Sequence, residues 1–289
     1  MNIEDIVPIV RGRVLKIASI KDEDDLDIPD PLLILDRLKA QRSGTIDIFT
    51  FCQRIPDTTP KYDFPMEWDH IAALDYKDHK YWFEKILDDK TRNMVRKAGK
   101  KGVDIRLSDF TDDLVQGIVE IYNETPVRQG RPFRHFGKNF DETKAANATH
   151  LERSEFVGAF YGAELVGFLK LVYGDRTARA EQIISKIAHR DKAPTNALLD
   201  EAVKMCEGRG IPYLVYGIWP SKESFAQFKK NNGFTKFSLP RYYVPLNAKG
   251  RLAVKLGLHR ELKERVPDFL KEKLIALRES WYGHKHKAA

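Results

Sequence analysis

The chain of 289 residues is 42% apolar and 31% charged and carries a formal net charge of +7. Such a length holds one large domain or two modest ones around an ample core, and with no apolar run of about eighteen residues it offers nothing that spans a membrane. The N-terminal MNIEDIVPIVRGR lacks the apolar stretch of a secretory signal, and Cys52 and Cys206 stand alone among scattered histidines, so a cytoplasmic protein without a disulfide framework or a structural metal is expected.

In chain order, residues 1–45 are mixed, with an acidic run at Lys21–Asp30 that reads as a solvated loop. Pro31–Ala40 suits a short helix, Thr45–Ile55 and Trp68–Leu74 alternate as strands, and Pro56, Pro60 and Pro65 mark the loop between them. A helical stretch begins at Asp78–Leu87 and continues through Lys90–Lys101, and Val103–Leu107 is a strand. Thr111 is placed to cap a helix striped by Leu114, Val115, Ile118, Ile121 and Tyr122, with Asp112 and Asp113 at its positive dipole end. Glu155–Phe160 and Glu164–Val172 read as strands of a hairpin turning at Tyr161-Gly162-Ala163, and Ala178–Ala188 as the next strand. Thr195 or Asn196 can cap the following helix, which Gly208 and Gly210 stop. A strand at Ile211–Tyr216, a short helix from a Ser221 cap to Gly233 and a strand pair over Phe234–Leu246 complete the body. Gly250–Tyr282 reads as two amphipathic helices broken at Pro267. Eleven Lys/Arg against five Asp/Glu lie from Lys249 onward. The basicity is therefore a property of this tail, which suits peripheral contact with an anionic membrane surface, while the near-neutral body is a poor footprint for nucleic acid.

Three segments carry candidate chemistry. Arg190–Leu199, RDKAPTNALL, joins a strand to a helix, where unpaired amides and the helix dipole favour an anion; Arg190, Lys192, Ala193, Thr195 and Asn196 are the candidate donor-binding residues. Thr125–Lys138, TPVRQGRPFRHFGK, gathers Arg128, Arg131, Arg134, Lys138 and His135 with no acidic residue among them, which suits an anionic acceptor such as a sugar nucleotide or a lipid-linked sugar phosphate. His135 is suited to proton transfer near neutral pH. In SFAQFKKNNGF, Lys229 is placed to steady an oxyanion or a phosphate, and Glu181 is the only acidic residue inside its strand and the candidate base. Each has a plainer reading: a ligand-free joint, arginines paired with Asp141 and Glu142, and solvated lysines on a helix face.

The Arg190 segment resembles the R-x-x-G-x-G/A motif of the GNAT acyltransferases, with Ala193 and Thr195 on the two glycine positions and Pro194 between them, as in the FemAB-like branch. The run R-N-x-x-R-K-A-x-K-x-G at Arg92–Gly102 and the Phe228-Lys229-Lys230 run also resemble that branch. The predicted order β-α-α-β-β-β-α-β-α-β over Val103–Leu246 is the GNAT order. The resemblance implies an α/β (α+β) fold with a mixed, mostly antiparallel sheet whose central strands splay to admit a donor. It implies transfer of an acyl or aminoacyl group, with acyl-CoA as donor, to an amine or hydroxyl of a cell-envelope or exopolysaccharide precursor. Aminoacyl-tRNA as donor for a peptidoglycan bridge, or a degenerate binding protein without activity, are the alternatives. Where ordinary GNAT enzymes carry a tyrosine acid, this chain carries Lys229, and its glycine positions are not glycine; both departures put the donor site in doubt. The expected divisions are 1–102, with a reduced second GNAT-like unit left open, 103–246 for the acyltransferase core, and 247–289 for the basic tail.

Overall fold

The computed structural model describes residues 8–25, 30–40, 46–128, 131–220 and 223–260. Contacts divide the chain into two compact units, Met1–Asp69 with Gln129–Pro132 and Ser238–Ala289, and His70–Arg128 with Phe133–Phe237. The units meet in the sequence at 69/70 and 237/238, with residues 129–132 also assigned to the first. Residues 79–100 bury Trp82, Leu87 and Ala98 in the core of the second unit.

In the first unit, β1 (Pro8–Arg11) and β2 (Ile17–Ile20) form an antiparallel pair, and β2 runs parallel to β3 (Ile48–Cys52). Neither β1 nor β2 was apparent from composition. The strand β12 (Thr235–Pro245) pairs with β3 from Arg241↔Cys52 to Pro245↔Ile48. It is one strand, correcting the expected pair over Phe234–Leu246, because its edge groups are taken without a turn. Helix α1 (Pro31–Ala40) buries Ile34, Leu35 and Leu38 against Phe49, Phe51 and Tyr242. Helix α8 (Ala248–Lys255) is capped by Asn247 and lies so close to β3 that a Cβ on Gly250 would stand 1.9 Å from the Asp47 carbonyl oxygen. The tail beyond residue 260, with its expected second helix, Pro267 break and membrane contact, lies outside the described residues, as does the Ser221 cap.

The second unit orders its strands β4 (Met66–Asp75), β11 (Tyr213–Ile218), β10 (Thr177–Ser185), β9 (Glu164–Tyr173), β8 (Ser154–Tyr161) and β5 (Val103–Ser108). All neighbours are antiparallel except β10 and β11. One core joins the sheet to α3 (Asp89–Lys100) and α6 (Pro194–Gly208). A second joins it to α4 (Asp112–Asn123) through Leu114, Ile118, Ile121, Tyr122, Phe156 and Phe168. The helical run before β5 is interrupted: α2 (His79–Tyr81) continues as a π-helical turn over Trp82–Ile86, and Leu87 is extended before Asp88 caps α3. Thr111 caps α4 as expected, and the β8–β9 hairpin closes on Gly162, at φ +62°. Two short strands, β6 (Val127–Arg128) and β7 (Arg131–Pro132), precede α5 (Phe140–Asn147), and α7 (Glu223–Asn231) precedes β12. The order from β5 to β12 is the expected one with those two short strands added.

Candidate functional site

The two central parallel strands part. Their shared ladder covers only Thr177↔Tyr213 to Arg179↔Val215. Past it, β10 stays with β9 as far as Ser185↔Gly167, while β11 stays with β4 to Ile218↔Ile71. A bulge sits on each strand where they separate. On β10 the extra residue is Glu181, between Ala180 and Gln182; on β11 it falls at Tyr216–Gly217, with Gly217 at φ +61°. A bulge bends and twists its strand, so the two together turn one lip from the other and leave backbone edge groups facing the gap.

The β10 lip ends sooner than the alternation suggested. The strand stops at Ser185, and Ile187–Lys192 form a 3-10 turn. The Glu124 carboxylate is the cause: it accepts the Ile187 and Ala188 amides at 2.7 and 2.8 Å. Arg128 braces the same corner, donating to the Ser185 carbonyl at 2.7 Å, the Ile121 carbonyl at 3.0 Å and Glu124 at 3.0 Å. Its guanidinium is thus engaged within the fold, and its carboxylate partner is Glu124.

Ala193 adopts φ +57°, ψ +41° and is 4% exposed. The turn therefore takes the left-handed geometry usual for glycine without a glycine, at a cost of about 1 kcal/mol. Pro194 occupies the first position of α6, where its missing N–H costs no hydrogen bond. Ala193, not Thr195 or Asn196, is the N-cap residue, and no side chain caps the helix; the Thr195 hydroxyl pairs with the Ser185 hydroxyl at 2.7 Å, and the Asn196 amide donates to the Ala193 carbonyl. Around the turn, His189 and Lys186 pair with Glu164, Lys192 lies 4.8 Å over the Tyr161 ring, and Arg190 is exposed.

Behind the β10 bulge is a polar cluster. Lys170, fully buried on β9, lies 2.6 Å from the Glu181 carboxylate and donates to the Thr149 carbonyl and hydroxyl. Arg179 holds the other Glu181 oxygen at 3.1 Å. Burial alone would raise the Glu181 carboxyl, but these two cations outweigh it and hold it below the ordinary carboxylate range. Glu181 is an ion-pair member, which argues against its expected role as a base poised near neutrality. Beside it, the Tyr122 hydroxyl donates to the Gln182 carbonyl, and Gln182 in turn donates to Asn147. His135 stacks on Tyr122 with ring centroids 4.4 Å apart, is 7% exposed, and accepts from Arg134 Nε at 2.9 Å. Burial first, then Arg134, Lys138 and Arg128, push its imidazole down to about 4. It is neutral at pH 7 and a weak base.

The expected acceptor residues divide accordingly. Arg134 is exposed and Lys138 lies 6.0 Å from the Tyr122 ring, so both gather at His135; Arg131 falls in the first unit. On the opposite lip, Lys229 Nζ donates to the Tyr216 and Ile218 carbonyls at 2.5 and 2.8 Å and sits 4.8 Å over the Tyr216 ring, and burial lowers it to about 8. Two of its three protons are committed to backbone, which leaves little for an oxyanion. The residues that composition did not single out are Glu124, Tyr122, Asn147, Gln182 and Lys170. Only Lys170 carried a signal, a lone charge inside ELVGFLKLVY.

Among the described residues, concavities lie elsewhere too, one of about 430 Å³ in the first unit beside Trp68, Arg241 and His259 and one of about 650 Å³ in the second along α4 and the β8–β9 hairpin. Among the described residues, no cluster of three or more His, Cys, Asp or Glu is arranged to hold a metal, and no helix is long and apolar enough to cross a membrane.

Parted central strands, a bulge at the parting and a helix launched from the end of β10 make up a GNAT-like fold, a large mixed sheet flanked by helices. Solved structures share this fold. FemX is similar over 85% of each chain at TM-score 0.63 and 11% identity. L-PGS from Bacillus licheniformis is similar over 87% of this chain and 83% of its own, at TM-score 0.55 and 12% identity. The C-terminal domain of a putative lysylphosphatidylglycerol synthetase from Agrobacterium fabrum is similar over 86% and 83%, at TM-score 0.53 and 14% identity. No family model and no curated protein matches the chain.

Proposed function

We propose that the chain is a transferase that moves an acyl or aminoacyl group from an activated donor to an amine or hydroxyl of a cell-envelope or polysaccharide precursor. The observation that carries this reading is the gap between β10 and β11, opened after three paired residues and flanked by the start of α6. An extended thioester arm adds to an exposed strand edge as a further strand would, and acyl-CoA is the donor that suits it. The donor phosphates lie toward the α6 end, with Arg190 and Lys192 beside them.

In this reading the acceptor approaches past Arg134 and Lys138. Positioning carries most of the rate, because Glu181 is held by two cations and His135 is neutral with a depressed basicity. An amine acceptor entering in its free-base form needs no strong protein base to begin attack. The aminoacyl alternative draws support from the similarity to a putative lysylphosphatidylglycerol synthetase, which makes a lipid-linked or lipid acceptor its natural test. The basic tail then serves as a peripheral contact with the membrane from the cytoplasmic side.

The test is transfer and binding together. Coenzyme A binding by calorimetry, and release of free thiol from acetyl-CoA in the presence of amino sugars, are the expected results. Transfer from aminoacyl-tRNA with no affinity for coenzyme A replaces the donor; neither binding nor transfer with either donor leaves a binding protein and overturns the reading.

A further inference from the structure

The lip on β11 poses a problem that the β10 lip does not. Once two parallel strands separate, the carbonyls along the inner edges lose their ladder partners, and orphaned backbone groups seek new ones. On β11 the ladder with β10 ends at Val215, and the Tyr216 and Ile218 carbonyls that follow flank the left-handed Gly217 at the bulge. The Lys229 ammonium meets both carbonyls. It is half-buried, and no carboxylate among the described residues is paired with it.

The lysine is itself firmly placed. It lies in the last turn of α7, and its own carbonyl accepts the Phe234 amide at 3.0 Å while Gly233 donates to Lys230 at 2.9 Å, the doubled closure that ends a helix on a left-handed glycine. A Cβ on Gly233 would stand 2.3 Å from Ile86 Cγ2, so the helix end is seated directly on the core. Phe228 meets the Tyr216 ring edge-on with centroids 6.4 Å apart. A rigid helix end therefore delivers one cation to the point where β11 leaves its parallel neighbour.

We propose that Lys229 is a positioning residue, a latch that satisfies the two bulge carbonyls of β11 and so keeps that strand from closing onto β10. Without the ammonium the two carbonyls need other donors, and taking the edge amides of β10 beyond Arg179, where its ladder with β11 ends, would extend that ladder. Gly217 is the second part of the device, since it supplies the left-handed turn that aims both carbonyls at one nitrogen. The latch concerns the shape of the gap, and its consequence for donor affinity rests on the acyl-CoA reading above.

Amide hydrogen exchange of the whole protein tests it directly. In Lys229→Met, the β10 amides between Ala180 and Ile184 that face β11 should exchange at least tenfold more slowly as the ladder extends, while Lys229→Arg, which keeps two donors, stays within about twofold of the parent. Should Lys229→Met not fold, Gly217→Ala, which disfavours the left-handed bulge, should give the same redistribution with the lysine in place. Unchanged exchange in a folded Lys229→Met, or in Gly217→Ala, overturns the latch. With acetyl-CoA as the probe, Lys229→Met should raise KM about tenfold with kcat within about threefold, and Lys229→Arg should restore it. Loss of kcat with KM unchanged overturns the positioning role in favour of a direct chemical one. Redistributed exchange with no coenzyme A binding in any of the proteins supports the latch and removes acyl-CoA as donor.

Discussion

The two lips of the gap are held open by different means. On β10 the restraint is spread over several side chains, in that Glu124 holds two amides, Arg128 ties two carbonyls, and the Ser185 and Thr195 hydroxyls close the corner. On β11 one lysine meets two carbonyls beside a glycine. A shared network built on a partly buried ion pair bears on the stability of the whole unit, because removing one member strands the others. A single latch on a strand edge bears mainly on local shape. The difference separates what a substitution does to folding from what it does to the gap.

The largest effect on stability should come from the β10 side. Glu124→Ala leaves the Arg128 guanidinium and two amides without their carboxylate, and denaturant unfolding should show a loss of about 3 kcal/mol. Lys170→Met, which removes the buried partner of Glu181 while leaving Arg179, should cost about 2–3 kcal/mol by the same measurement. Lys229→Met should cost about 1–2 kcal/mol, less than either, though it alters the gap most.

Acid should act through His135. The unfolded chain takes up this proton near 6.5, whereas the folded ring resists until about 4. Stability from this residue is therefore full above about 6.5 and is lost as the pH falls toward 4. Unfolding midpoints between pH 7 and pH 4.5 should drop in the parent and drop less in His135→Phe, which keeps the ring stacked on Tyr122. A smaller, opposite effect is expected at the turn: Ala193→Gly relieves the left-handed strain and should raise stability by about 0.5 kcal/mol, the backbone entropy of glycine offsetting part of the gain. Arg190→Ala and Arg134→Ala should leave stability within about 0.5 kcal/mol while weakening donor and acceptor binding respectively, as read by KM.

Much of the second unit was legible because its signals are local. Thr111 before two aspartates and an apolar stripe, and Gly162 between two alternating runs, each report on a few neighbouring residues, and each fell where expected. The β10 terminus was not, since Ile187 and Ala188 continue an apolar alternation and are turned aside by a carboxylate more than sixty residues upstream. The same holds for the arginine-rich loop. Counting cations could not distinguish Arg128, committed to backbone and Glu124, from Arg134, exposed beside His135. In the first unit, β1 and β2 are four residues each, too short for periodicity to mark, and exist through their ladder partners. Lys170 could have been noticed, because a lone lysine amid nine largely apolar neighbours needs a buried carboxylate.

The pairing of β3 with β12 has a consequence for biosynthesis. Cys52 meets Arg241, and Gly250 packs against Asp47, so β3 waits during synthesis until β12, far downstream, emerges to pair with it. The intervening residues 70–237 form almost all of the other unit and are free to condense first as they leave the ribosome. Assembly should thus run from the middle outward, and until the final strands emerge the early ones present an uncovered edge of the kind that chaperones bind.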